Sequence, residues 1–318
     1  MDTIVYLDRE AIRAPLRMPN FPHRWVEYPN TLPDQVAERL SEATLVLTNK
    51  VRISGEVLRQ FPAIRYIGVT ATGTDCVDLD ACRQLGITVT NVRNWCATPV
   101  AEQVFALIFA LRRQIVASVR QVELGEWPRA TSYCVYPPVI PLDLEGSTLG
   151  IIGAGTIGGK VASIGKALGM KVMIADRRQA IDLQPGRVPF ETVLAESDVV
   201  SLNCPLTPET HHLIGQPELA LMKPQALLIN CSRGGLVCAP ALAEALRQGR
   251  LGGAGIDVLE TEPPPDDHPF LGKEVPNLIV TPHVAWLSVR SLEELTRQVI
   301  DNLEQYRAGV SWNQVGSF

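Results

Sequence analysis

The feature that most restricts this chain is a set of three spaced glycines near its middle, Gly153-Ala154-Gly155-Thr156-Ile157-Gly158. A lone G-x-G-x-x-G is weak evidence, because glycine-rich turns are common. Here an apolar run, Leu149–Ile152, precedes it and a helical pattern over Thr156–Leu168 follows. A second β-rich run, Lys171–Ala175, then ends at Asp176. Asp176 lies 18 positions past Gly158, close to the roughly 20 expected of a dinucleotide-binding βαβ unit. The three glycines serve different ends. Gly153 permits the tight turn, Gly155 lets backbone approach a pyrophosphate, and Gly158 allows close helix–strand packing. The helix N-terminus, with Thr156 and Ile157 in its first turn, offers free N–H groups and partial positive charge to phosphates. Asp176 can accept both ribose hydroxyls of NAD and repels the 2′-phosphate of NADP, so NAD is expected in preference to NADP. Arg177 and Arg178 either line the adenine edge or soften that preference.

Around this motif the chain alternates short β-rich runs with helical ones, the pattern of parallel sheets covered by helices. Before it, Ile4–Leu7, Thr44–Thr48, Tyr66–Val69 and Ile87–Thr90 are strand candidates, separated by helical stretches Pro33–Ser41, Gly55–Phe61 and Leu79–Leu85. One long helix is expected from Thr98 to Gly125, with Thr98 as its cap and Pro99 at its first position. The proline-rich stretch from Trp127 to Pro141 reads as a loop or arm. After the glycines, further strands are expected at Asp198–Leu202, Ala226–Asn230, Ala254–Val258 and Leu278–Thr281, with a helix over Ala239–Gln248. Ser288–Arg307 reads as a last amphipathic helix. The expected architecture is α/β: two Rossmann/flavodoxin-like domains with parallel sheets and an interdomain cleft. Residues 1–97 with 286–318 would form the substrate domain, and 98–285 the NAD-binding domain.

Bulk properties exclude several function classes. A net charge of −5 with no basic run argues against a nucleic-acid partner. The longest clean apolar run, Val104–Leu111, is far below the ~20 residues a membrane span needs. The N-terminus meets acid at once, so no signal peptide and a cytoplasmic location are expected. Seven scattered cysteines without CxxC or Cys/His ligand spacing read as free thiols, and no metal site is expected. His23, His211, His212 and His268 read as solvated or packing residues.

The chemistry-bearing residues follow the later strands. They are Asn230-Cys231-Ser232-Arg233-Gly234-Gly235, then Gly255-Ile256-Asp257-Val258 leading to Glu262-Pro263, then Thr281-Pro282-His283. With the glycine motif, in that order, these resemble the D-isomer-specific 2-hydroxyacid dehydrogenases over essentially the whole chain. The resemblance implies a catalytic set of Arg233, Glu262 and His283. His283 would donate the proton to the carbonyl oxygen of a 2-keto acid. Glu262 would hold the other ring nitrogen, and Arg233 would grip the substrate with a fork that lysine cannot copy. The resemblance also implies that backbone N–H groups at Thr72 and Gly73 bind the substrate carboxylate. It places Thr98 near the nicotinamide, Cys204-Pro205 near the adenosine ribose and Asp257 near the carboxamide. Cys231, Ser232 and Ala285 complete the implied cofactor contacts.

Ala71-Thr72-Gly73-Thr74-Asp75, Gly125-Glu126-Trp127 and the Trp286 after Ala285 look most like the glycerate dehydrogenase (hydroxypyruvate reductase) branch. The substrate expected is hydroxypyruvate or glyoxylate. A dehydrogenase for a bulkier 2-keto acid and an NAD-sensing, corepressor-like protein are the alternatives. No tyrosine has a lysine four places later, which excludes a short-chain dehydrogenase site. Trp127, Tyr133 and Tyr136 form either a dimer arm or plain surface packing; the resemblance implies a homodimer.

Overall fold

The computed structural model describes residues 1–271 and 275–316, so Ser317 and Phe318, the end of the first expected domain, lie outside the described residues. The chain forms two compact units, Met1–Trp95 with the segment from Ser288 onward, and Cys96–Leu287. The boundaries thus fall two residues to either side of the expected second domain.

The first unit is built on five parallel strands: β1 (Asp2–Tyr6), β2 (His23–Glu27), β3 (Leu45–Thr48), β4 (Tyr66–Val69) and β5 (Thr88–Thr90). Their order is β2-β1-β3-β4-β5, the flavodoxin-like arrangement. Every residue of β3 and β4 is buried, which is why those segments read as continuous apolar runs. The C-terminal helix Val289–Arg307 packs on β4 with Leu295, Val299, Ile300 and Leu303 inside. Its start is fixed by Ser288, whose side chain accepts the Ser291 N–H.

The second unit holds β6 (Thr148–Ile152), β7 (Lys171–Ile174), β8 (Val199–Leu202), β9 (Leu227–Asn230), β10 (Gly253–Ile256) and β11 (Leu278–Val280). They pair in parallel in the order β11-β10-β9-β8-β6-β7. A single parallel bridge, Ala175 to Val188, begins one more strand beyond β7. With it, the order becomes the doubly wound one, and the chain reverses its direction of winding between β6 and β8. Helix Ala97–Arg112 covers β9 and β10. A side chain at Gly255 would press within 2.9 Å of Leu107 Cβ, so glycine is what lets this helix lie so low.

Several expectations are corrected. The strand His23–Glu27 was not foreseen: it is an edge strand flanked by prolines, half exposed, and its polar residues hide any apolar run. His23 therefore opens a strand and packs edge-on against Phe21 and Trp25. The long helix from Thr98 to Gly125 is interrupted. It begins at Ala97 with Cys96 in the cap position, so Thr98 and Pro99 lie inside the first turn, and it ends at Arg112. Gln114 then takes a left-handed φ of 53°. Its side-chain amide donates to the Leu111 carbonyl at 3.0 Å, closing the helix without glycine or proline. A second helix, Ile115–Glu123, follows, and Glu126–Arg129 is one helical turn inside the segment expected to be irregular. Short helices Phe190–Glu196 and Gln216–Leu221 complete the second unit.

Candidate active site

Because all six strands of the second sheet run the same way, their C-terminal ends form one edge, where open α/β sheets take ligands. The glycine turn leaves β6, Asp176 follows β7, Cys204 and Pro205 follow β8, and Cys231–Arg233 follows β9. Asp257 follows β10 and His283 follows β11.

The glycine turn has the shape of a phosphate cradle. Gly153 has φ 89°, and a Cβ there would strike the backbone of Asn203 and Cys204 at 2.6–2.7 Å. A Cβ on Gly158 would come within 2.0 Å of the Gly153 carbonyl oxygen, so any other residue would push the helix off the turn. Over Gly155, by contrast, there is nothing within 4 Å. That open space sits at the start of helix Thr156–Ala167, whose first N–H groups have no partner within the helix. The shape and the donor chemistry fit a pyrophosphate.

At the end of β7, Asp176 accepts backbone N–H bonds from Arg177 at 2.7 Å and Gln184 at 2.6 Å. These two bonds hold its carboxyl below the usual carboxylate range. Arg178 turns elsewhere, to an ion pair at 2.6 Å with the buried Glu218, which also accepts the Gly215 N–H. Ser232 donates to the Leu202 carbonyl at 2.9 Å, tying the β9 turn to β8. Burial pushes the Cys204 thiol up to about 11 and raises Cys231 further, so both are un-ionised near neutrality.

His283 and Glu262 meet. His283 Nδ1 donates to Glu262 Oε2 at 2.6 Å, and Glu262 Oε1 accepts the Leu259 N–H at 2.9 Å. Both side chains remain partly open to solvent. With Nδ1 committed to the carboxylate, Nε2 is the nitrogen available to a ligand. Arg233 is half-buried, with its carbonyl held by the Asn230 side chain at 2.9 Å. Its positive charge is felt at Cys96, two residues before Thr98, although burial still pushes that thiol up to about 11.

The position of His283 depends on Asp257, whose residue is only 1% exposed. One carboxylate oxygen accepts the Thr281 hydroxyl and the Val284 N–H, and the other accepts the Ala285 N–H at 2.9 Å. The Asp257 carbonyl also accepts the His283 N–H at 2.8 Å. His283 has φ 55°, a costly conformation that these bonds and the Trp286 indole, which donates to its carbonyl, hold in place. This supporting role was not foreseen from the sequence, where Asp257 was expected beside the carboxamide.

In the first unit, Thr72 and Gly73 follow β4. The Thr72 hydroxyl donates to the Val92 carbonyl at 3.0 Å and accepts the Trp95 indole N–H at 2.8 Å. Its carbonyl accepts the Asn91 side-chain amide at 2.7 Å. Asn91 and Trp95 carry no signal in the sequence, since neither lies in a motif.

Residues 105–285 match the family model for the D-isomer specific 2-hydroxyacid dehydrogenase, NAD binding domain. The chain is 45% identical to a glycerate dehydrogenase of Methylorubrum extorquens, over 98% of each protein. It belongs to the D-isomer-specific 2-hydroxyacid dehydrogenases. A hydroxypyruvate reductase of Blautia hydrogenotrophica is 35% identical over 89% of this chain and 88% of that protein. Among solved structures, an acyclic imino acid reductase in complex with NADPH and D-Arg superposes with a TM-score of 0.83. It is 29% identical, over 98% of this chain and 99% of that one. As a member of this family the chain is an oxidoreductase with an NAD-binding domain, and the glycine turn lies within the matched residues.

Replacing Asp257 by Ala should strand the Val284 and Ala285 N–H groups and free the His283 backbone. Thermal unfolding should show a loss of about 1–3 kcal/mol, and unchanged stability would mean the loop is held by other contacts.

Proposed function

We propose that this chain reduces hydroxypyruvate to D-glycerate, and glyoxylate to glycolate, with NADH. The observation that carries the reading is the 2.6 Å pair of His283 and Glu262, on the same strand edge as Arg233 and the glycine cradle. NADH, when bound, supplies the hydride that C2 of the keto acid receives. Gly153, Gly155, Gly158 and the helix start at Thr156 and Ile157 would hold its pyrophosphate. Asp176 would take the adenosine ribose, with Cys204 and Pro205 beside it. Thr98, Cys231, Ser232, Asp257 and Ala285 would surround the nicotinamide end.

The chain's own groups then complete the reduction. His283 Nε2 passes a proton to the carbonyl oxygen as C2 becomes tetrahedral, leaving a hydroxyl. Glu262 fixes the ring so that this nitrogen, and not Nδ1, serves the substrate. Arg233 holds the substrate carboxylate and polarises the carbonyl through paired N–H donors. Thr72 and Gly73 would bind a substrate carboxylate with their backbone N–H groups, their turn stiffened by Trp95 and Asn91.

NAD in preference to NADP follows from the same edge. Asp176 presents negative charge to the ribose, and Arg178, one of the two arginines that could welcome a 2′-phosphate, is occupied by Glu218. The similar imino acid reductase binds NADPH, so selectivity rests on these residues and not on the fold.

A cytoplasmic homodimer is part of the same reading; no described helix is long and apolar enough to cross a membrane. Helix Ile115–Glu123 buries none of its residues, yet it carries Ile115, Val116, Val119 and Val122 at about half exposure. Trp127, Tyr133, Tyr136 and Ile140, in the residues that follow, are exposed as well. A patch of this kind marks an association surface.

Three measurements test the reading. His283→Ala should lower turnover on hydroxypyruvate by about 10²–10⁴-fold while NADH still binds. Near-normal turnover would remove His283 from its role, and activity of the unaltered enzyme only on bulkier keto acids would change the substrate. Binding of NADH with no turnover on any keto acid would favour an NAD-sensing protein. Asp176→Ala should narrow the ratio of NADH to NADPH efficiency; an unchanged ratio would place the selective group elsewhere. Val119→Glu should convert a dimer to a monomer by light scattering, and a monomeric parent would remove the arm from assembly.

A further inference from the structure

His211 and His212 are brought together with Glu260 in a way their sequence positions do not suggest. Neighbouring side chains in an extended segment point apart. Here a left-handed φ of 50° at His212 swings its ring alongside His211, with ring centroids 3.9 Å apart and planes inclined by 28°. One carboxylate faces both. His211 Nε2 lies 2.9 Å from Glu260 Oε1, and His212 Nε2 lies 3.3 Å from Glu260 Oε2. The two imidazoles lower the carboxyl of Glu260 from its ordinary value. One ligand atom from each of the three residues lies within 4.8 Å of the others. Tetrahedral zinc with bonds of 2.0–2.2 Å separates its ligand atoms by about 3.3 Å, so small adjustments would admit an ion.

The surroundings hold this arrangement in place. The His212 N–H donates to the Gly235 carbonyl at 2.7 Å, and the His211 N–H donates to the Thr207 carbonyl at 3.0 Å. Gly234 lies under the facing turn: a Cβ there would meet the Leu259 and Glu260 backbone at 1.9–2.3 Å. Glu260 is in the turn whose Leu259 N–H is accepted by Glu262.

We propose that His211, His212 and Glu260 bind one transition-metal ion of the Zn²⁺, Co²⁺ or Ni²⁺ class, and that the ion braces the turn carrying Glu262. Two imidazoles and a carboxylate suit these borderline cations and not Mg²⁺ or Ca²⁺, which prefer all-oxygen shells. Water would complete the coordination. The site is distinct from the pair of His283 and Glu262.

The test is calorimetric titration of the untagged full chain with ZnCl₂, in a Cys134→Ser background because that thiol is exposed. One equivalent should bind. His212→Gln and Glu260→Gln should each weaken binding by at least about 10-fold, the scale set by losing even an outer-shell partner of a metal. His283→Gln should leave it intact, and circular dichroism checks that each variant is folded. No binding, binding indifferent to His212 and Glu260, or binding lost with His283→Gln would overturn the site. Hydrogen exchange at residues 258–262 should slow with Zn²⁺ in the parent and not in His212→Gln. Exchange unchanged by bound metal would overturn the bracing role.

Discussion

A parallel ladder of six hydrogen-bonded strands in the second unit sets everything that follows. Parallel pairing makes every strand of β6 to β11 end at the same edge, and each βα turn must emerge there. Residues separated by more than a hundred positions, such as Gly153 and His283, therefore share one edge of the sheet. The inner strands β8, β9 and β10 are buried at every residue, so the edge rests on a packed core. Leu149, Leu228 and Ile229, all fully buried, belong to that core. Truncating a side chain of this kind to alanine typically costs about 2–5 kcal/mol.

Within that frame the chemistry depends on a buried charge that is not itself in the proposed proton path. Asp257 has three polar hydrogens around its carboxylate, which repay part of the cost of leaving water. What this stabilises is a strained loop, with His283 in a left-handed conformation and its ring turned to Glu262. The glycine turn works by omission. Side chains absent at Gly153 and Gly158 let backbone close on backbone, and the side chain absent at Gly155 leaves room for a ligand.

The turn from Leu259 to Glu262 carries two acids with different partners. Glu262 pairs with His283, and Glu260 with His211 and His212. The Leu259–Glu260 backbone of this turn passes close against Gly234, the residue after Arg233. The half-exposed apolar residues Ile115, Val116, Val119 and Val122 lie on a helix none of whose residues is fully buried.

The glycine spacing, the alternation of β-rich and helical runs, and the ordered Arg, Glu and His motifs are local patterns. They declared the α/β class and the family from sequence alone, because strand burial and tight turns restrict residue type directly. Edge strand His23–Glu27 was not legible, since a half-exposed strand beside prolines has no apolar signature. The break at Gln114 was hidden too, because a side-chain amide does there what glycine usually does. Asp257 as the anchor of the His283 loop, Trp95 on Thr72, and Glu260 between two histidines all join residues far apart in sequence. Those pairings were decided only by the tertiary structure: distance through space is set by sheet order and loop backbone angles, and no spacing along the chain encodes it.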